Sequence, residues 1–152
     1  MKKQNNGNVS VRIKVLFVVG NLDIGGAEKL VVAQAKYIDK EKFEPHVCTL
    51  FPGGPNNYEK NLADLKSIRH RFNFKGRFDI GSWFDVYRFL RKGNFDILVC
   101  NLFEANFIIR LVNLFAGNKI VFIFEHNVYT KKEWWKILAD RFFAKRTAKI
   151  FG

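Results

Sequence analysis

Two adjacent glycines, Gly25 and Gly26, sit inside VVGNLDIGGAEKLV (residues 18–31), where an apolar run gives way to a charged, apolar-periodic stretch. Glycines at a strand-to-helix turn allow positive φ without Cβ strain, and they let a ligand approach backbone N–H groups closely. The helix that follows would offer free N–H groups and the positive end of its dipole to a phosphate or carboxylate. The spacing excludes two nucleotide sites. Asn21, Leu22, Asp23 and Ile24 separate Gly20 from Gly25, which breaks a G-x-G-x-x-G fingerprint, and Gly26-Ala27 stand where a P-loop needs Lys and Ser or Thr. The bland alternative is a tight turn that packs helix on strand.

Other reactive residue types are sparse. Cys48 and Cys100 both fall in apolar runs, so they read as buried thiols in a reducing compartment and not as a metal site or disulfide framework. No pair of carboxylates is placed like the two acids of a glycosidase. The 26 Lys and Arg outweigh the 14 Asp and Glu, giving +12. That charge suits a phosphate-bearing ligand, an acidic membrane surface or nucleic acid. Basic and aromatic residues interleave at 66–78 and 130–149, but no helix-turn-helix, zinc or RNA-recognition motif accompanies them, so nucleic acid is not an expected partner.

These groups must be held by elements, and the pattern alternates. Residues 1–12 form a flexible polar tail, and 13–152 form one domain. Strands are expected at 14–19, 44–51 (with Pro45 fixing the start), 68–72, 95–100 and 119–125, and "KIFG" opens another. Helices are expected from Ala27 to Ile38, over 58–66, 83–93 and 104–117, the last two stopped by Gly93 and Gly117, and over 131–148. Buried-type strands alternating with helices predict an α/β, doubly wound, Rossmann-like, mostly parallel sheet. The N-terminus has no apolar h-region, and no run reaches the about 18 residues of a membrane span. The chain is expected in the cytoplasm. It stops at the onset of a strand, which predicts a truncated piece of a longer protein.

KVLFVVGNLDIGGAEKLV resembles the opening of GT-B fold glycosyltransferases of family 4, which often carry G-G-A-E-[RK] after the first strand. A second stretch agrees: FDILVCNLFEANFIIRLVNLFAGNKIVFIFEHN (95–127) has an aspartate before a strand, an EAN…R helix, a glycine stop and a strand ending in EHN. The resemblance implies that this chain is the N-terminal, acceptor-side half. A C-terminal domain or partner chain would bind the nucleotide-sugar donor, and a retaining transfer to a polysaccharide, lipid-linked or other glycan acceptor would occur between them. The nucleotide-sugar is a co-substrate, and no cofactor or metal is expected. The chain by itself would be inactive. The alternative is a non-catalytic, membrane-associated partner subunit of a split glycosyltransferase.

The resemblance implies that Gly25 and Gly26 approach the donor pyrophosphate and that His126 is catalytic, close to the sugar. A His at a strand's carboxyl end faces the ligand crevice; the bland alternative is a turn-capping His. Glu28, Glu104, Asn106 and Asn127 are substrate-binding candidates. Their bland counterparts are first-turn helix acids for Glu28 and Glu104, a solvated helix position for Asn106 and a turn for Asn127. One departure stands out: Cys100 and Asn101 occupy a place where the family commonly has His.

Residues 130–150 carry an apolar stripe of Trp134, Trp135, Ile137, Leu138, Phe142 and Phe143 among seven bases and two acids. Such a face suits the acidic inner surface of a membrane, which makes the chain a candidate peripheral protein. A helix packed on the sheet with a solvated basic face is the competing expectation.

Overall fold

A computed structural model describes residues 11–62, 69–76, 79–117, 119–125 and 133–151. Among the described residues there are six strands and four helices: β1 Ile13–Val19, α1 Gly26–Tyr37, β2 Phe43–Thr49, β3 Arg69–Arg71, α2 Ile80–Lys92, β4 Ile97–Asn101, α3 Phe103–Ala116, β5 Ile120–Phe124, α4 Trp134–Ala144 and β6 Lys149–Phe151. Every strand pairing is parallel, and the sheet order is β3-β2-β1-β4-β5-β6. The chain winds outward from β1 in one direction and from β4 in the other, so the topological switch point lies between these two central strands. This is a single Rossmann-like half, as the alternating pattern predicts.

The two faces have separate cores. Val31, Val32 and Ala35 of α1 pack on Val15, Phe17 and Val19. Val86 and Leu90 of α2, with Ile108, Ile109 and Val112 of α3, pack on Leu16, Val18, Leu98 and Cys100. Each fully buried Val or Leu contributes about 1.5–3 kcal/mol, so alternate residues of β1 drive both layers at once. Cys48 and Cys100 are buried thiols flanking Val18 in register, as their apolar runs imply.

Several boundaries differ from the sequence pattern. Pro45 lies inside β2, opposite Val15, rather than at its start; β3 begins only opposite Val47, so the ring blocks no pairing on that side. Residues 58–62 form one 3₁₀ turn, and the rest of the expected 58–66 helix lies outside the described residues. Helix α2 starts three residues before Trp83 because Asp79 caps it: Ser82 donates its N–H to Oδ1 at 3.2 Å and its hydroxyl to Oδ2 at 2.8 Å. These donors, with the Lys75 N–H first among them, hold the Asp79 carboxyl below the usual carboxylate range. Tyr37, in the last turn of α1, is 80% exposed. No helix of the described residues is long and apolar enough to cross a membrane.

Candidate functional site

The carboxyl ends of β1 and β4 flank the switch point, where ligands of open α/β sheets bind. On the β1 side, Gly25 is the N-cap of α1, with φ −159° and ψ 172°, ordinary extended backbone. Positive φ is therefore not the reason for these glycines. A Cβ on Gly26 would meet nothing within 4 Å, while one on Gly25 would collide with the Glu28 carboxylate. The first helical bond runs from Lys29 N–H to Gly25 O at 3.1 Å. The N–H groups of Gly26, Ala27 and Glu28 thus have no intrahelical acceptor, and the space in front of Gly26 is open. The Glu28 carboxylate covers the N-cap, in keeping with an acid in a first turn.

The loop carrying these glycines is pinned by residues that the motif does not reveal. Asn21 and Asp23 hydrogen-bond each other through Asn21 Nδ2 to Asp23 Oδ2 (3.0 Å) and Asp23 N–H to Asn21 Oδ1 (3.1 Å). Asp23 Oδ1 then accepts the Gly54 N–H at 2.6 Å, and Tyr58 donates its N–H to Leu22 O at 2.8 Å. A Cβ on Gly53 would stand 3.1 Å from Asp23 Oδ1, so the "PGG" of the β2–β3 connection is a close-approach device for Asp23. The sequence signal available was Asn-x-Asp, a pairing of side chains that hold turns.

On the β4 side, Asn101 is buried and reaches across the switch point to donate Nδ2–H to Val18 O at 3.4 Å. Leu102, the N-cap of α3, has φ 67° and ψ 159°, a strained conformation for a residue with a branched side chain. Its carbonyl accepts the Asn106 N–H at 3.0 Å. Asn106 is only 1% exposed, which rules out a solvated helix position, and neither polar atom of its amide has a partner among the described residues. Orphaned buried amides are rare in folded proteins.

Glu104 is exposed and borders a groove of about 770 Å³ whose other walls include Phe51, Trp83, Phe103, Phe107 and Trp135. At its α4 end Glu133 accepts from the Trp135 indole N–H and from Lys136 Nζ at 3.3 Å; these two, the indole first, hold its carboxyl below the ordinary range. Gly25, Gly26, Glu28 and Asn106 are not among the described lining residues of this groove. The structure therefore brings the candidates to two neighbouring strand ends, with Glu104 in the aromatic groove and the glycines before α1. His126 and Asn127 lie outside the described residues.

Helix α4 hangs on few contacts. Phe143 is its single buried residue among those described. Arg110 of α3 donates to Asp140 Oδ1 at 2.7 Å and to the Asp140 carbonyl at 3.3 Å, with its guanidinium 4.8 Å from the Phe143 ring centre. Trp134 is 73% and Phe142 70% exposed, so the apolar stripe does not pack on the sheet.

Residues 24–151 match Glycosyltransferase Family 4. The chain belongs to that family. Among solved structures it is similar to MurG of Acinetobacter baumannii, with 14% identity over 91% of this chain and 40% of that one and a TM-score of 0.62. It is also similar to a UDP-N-acetylglucosamine 2-epimerase (TM-score 0.59, 14% identity, 93% of this chain and 42% of that one). A putative UDP-N-acetylglucosamine 2-epimerase of Listeria monocytogenes gives a TM-score of 0.57 at 15% identity, over 93% of this chain and 39% of that one. At such identities the likeness is one of fold. The chain spans about two fifths of the length of these structures. A comparison with curated proteins found no match.

Proposed function

We propose that this domain is the acceptor side of a glycosyltransferase that moves a sugar, with retention, from a nucleotide-sugar to a glycan or lipid-linked acceptor. The observation that carries the reading is the open N-terminus of α1 at the switch point of a family 4 domain. Three N–H donors without intrahelical acceptors, beside a glycine with no atom within 4 Å of a Cβ position, suit a pyrophosphate. Gly25 and Gly26 would take the donor's phosphates, with Glu28 swinging off the N-cap as they arrive. Glu104 and the orphaned amide of Asn106 would serve the sugar and acceptor, and His126 and Asn127 would complete the site from the end of β5. A donor-binding C-terminal domain or partner chain supplies the rest.

The exposed stripe of α4 supports a location in the cytoplasm at the inner face of an acidic membrane. Trp134, Leu138 and Phe142 are exposed beside Arg141 and Lys145, and apolar rings flanked by cations are what an anionic interface takes up.

The test is a transfer assay on the product of the complete reading frame, with a panel of nucleotide-sugars and a membrane extract as acceptor source. The expected result is transfer by the wild type and about a tenfold lower kcat/KM in Gly26→Val, the loss of one charge-assisted contact. Transfer that appears only on adding a second polypeptide would favour the partner-subunit reading. Absence of turnover with every nucleotide-sugar would refute both.

A further inference from the structure

A second, smaller pocket opens at the carboxyl ends of β1, β2 and β3, and shares Phe51 with the aromatic groove. It has a volume of about 270 Å³, Thr49 at a strand end, Phe51 and Phe72 on its sides, and Asn57, Glu59, Arg71 and Asn73 as its further polar groups. The geometry points to a subsite for one neutral monosaccharide unit, resting on the reading of this domain as the acceptor side of a glycosyltransferase.

Three features select a sugar. The first is charge. Arg71 Nη2 donates to Glu59 Oε2 at 2.6 Å, and among the described residues these are the only ionised lining groups, so their charges cancel despite the chain's +12. The Glu59 carboxylate repels an anion placed beside it, whereas a neutral polyol meets no such repulsion. The second is the mixture of donors and acceptors. Apart from its bond to Glu59, the guanidinium of Arg71 has no side-chain partner among the described residues, and it is more than half exposed. Next to the carboxylate it presents a donor and an acceptor side by side, which matches vicinal hydroxyls, each of which can give and take a hydrogen bond. Phe51 and Phe72 supply apolar faces for the C–H side of a pyranose ring. The third is size and stiffness. The volume lies just under the roughly 300–1,000 Å³ of drug-sized sites, so it takes one ring and not a chain. The rim is already fixed: Asn57 donates Nδ2–H to Gly54 O at 2.8 Å and accepts the Glu59 N–H at 3.0 Å, while Gly54 is held by Asp23. The network that pins the glycine loop therefore also shapes this pocket, and it ties acceptor position to donor position through Asp23.

The experiment is a titration of the isotope-labelled chain with methyl glycosides of glucose, galactose, mannose and N-acetylglucosamine, following backbone amides by NMR. The expected result is that at least one glycoside shifts the amides of Asn57, Glu59, Arg71 and Asn73. Arg71→Met and, independently, Asn73→Ala should weaken that response, the first by about tenfold, the worth of a charge-assisted hydrogen bond. Both side chains are exposed, and unchanged amide positions in β1 and β4 verify that the variants fold. Shifts confined to residues around Glu104 and Trp135 would overturn this subsite and leave the transferase reading standing. Shifts at Arg71 with inorganic phosphate or uridine monophosphate but with no glycoside would overturn it by identifying an anion or nucleotide site. Absence of any glycoside response overturns it as well, while the transferase reading still answers to its own transfer assay.

Discussion

Replacing Phe143 with Ala should release α4 from the domain while leaving the sheet intact. Phe143 is 3% exposed and is the one described residue of α4 that is buried. Its ring meets Phe107 edge-on at 6.1 Å and lies under the Arg110 guanidinium at 4.8 Å. Truncating a buried Phe to Ala costs about 3–5 kcal/mol, and losing the stacked cation falls within that range, so about 4 kcal/mol is expected. The helix has 11 residues, too few to persist in water without docking. Native-state hydrogen exchange reads the effect directly. Amides of Leu138–Phe143 should exchange about a thousandfold faster, since every 1.4 kcal/mol is a factor of ten. Amides of Leu16, Val18 and Leu98 should keep their protection. A change below about tenfold in α4, or an equal loss across β1 and β4, would refute the idea that α4 is a separately docked element whose main anchor is Phe143, with the Arg110–Asp140 pair and the Trp135–Phe103 ring contact beside it.

Three further outcomes follow from the structure. His46 lies between Glu44 (Nε2 to Oε1, 2.8 Å) and His70 (Nδ1 to Nε2, 3.1 Å), with Phe89 and Phe95 packed around the rings and Arg12 and Lys14 beside Glu44. Burial first, and His46 second, depress the His70 pKa below its ordinary 6.5, so the unfolded chain binds the proton more readily. Stability is therefore present above about pH 6.5 and falls as the pH drops below it; urea midpoints across that range should flatten in His70→Phe, and an unchanged slope would refute the assignment. Burial pushes the Cys100 thiol up to about 12 and raises Cys48 as well, so both should ignore a thiol reagent at neutral pH until denaturant is added. Finally, Trp134→Ser with Phe142→Ser should reduce co-sedimentation with acidic vesicles several-fold and leave melting unchanged, because both rings are exposed; equal binding by the variant would reject α4 as the docking face.

Much of the architecture is local information and can be read along the chain. The apolar runs of β1, β4 and β5 are continuous because a parallel sheet buries both faces, and the glycine stops at Gly93 and Gly117 are where α2 and α3 end. Gly117 has φ 121°, as a left-handed stop requires, whereas Gly93 has φ −71° and is needed because the Phe95 ring and the Phe89 carbonyl crowd the place of a Cβ. That second reason is invisible in the sequence, since it depends on how the chain folds back under the helix. The same holds for the site. The glycine pair, Glu104 and Asn106 are legible as types at strand ends. That Gly25 is extended and covered by Glu28 shows only in three dimensions, and Asp23 fixes the loop through Gly54, 31 residues away. Helix α4 shows the limit most plainly. Its apolar stripe is periodic in the sequence, and periodicity predicts a buried face, but whether a face is buried depends on whether another surface lies opposite. Here α2 and α3 already cover the sheet, and Trp134, Leu138 and Phe142 are left exposed. Sequence by itself determined the order and type of the elements and the family; the tertiary structure decided which faces meet, because burial is a property of pairs of surfaces and not of one stretch of chain.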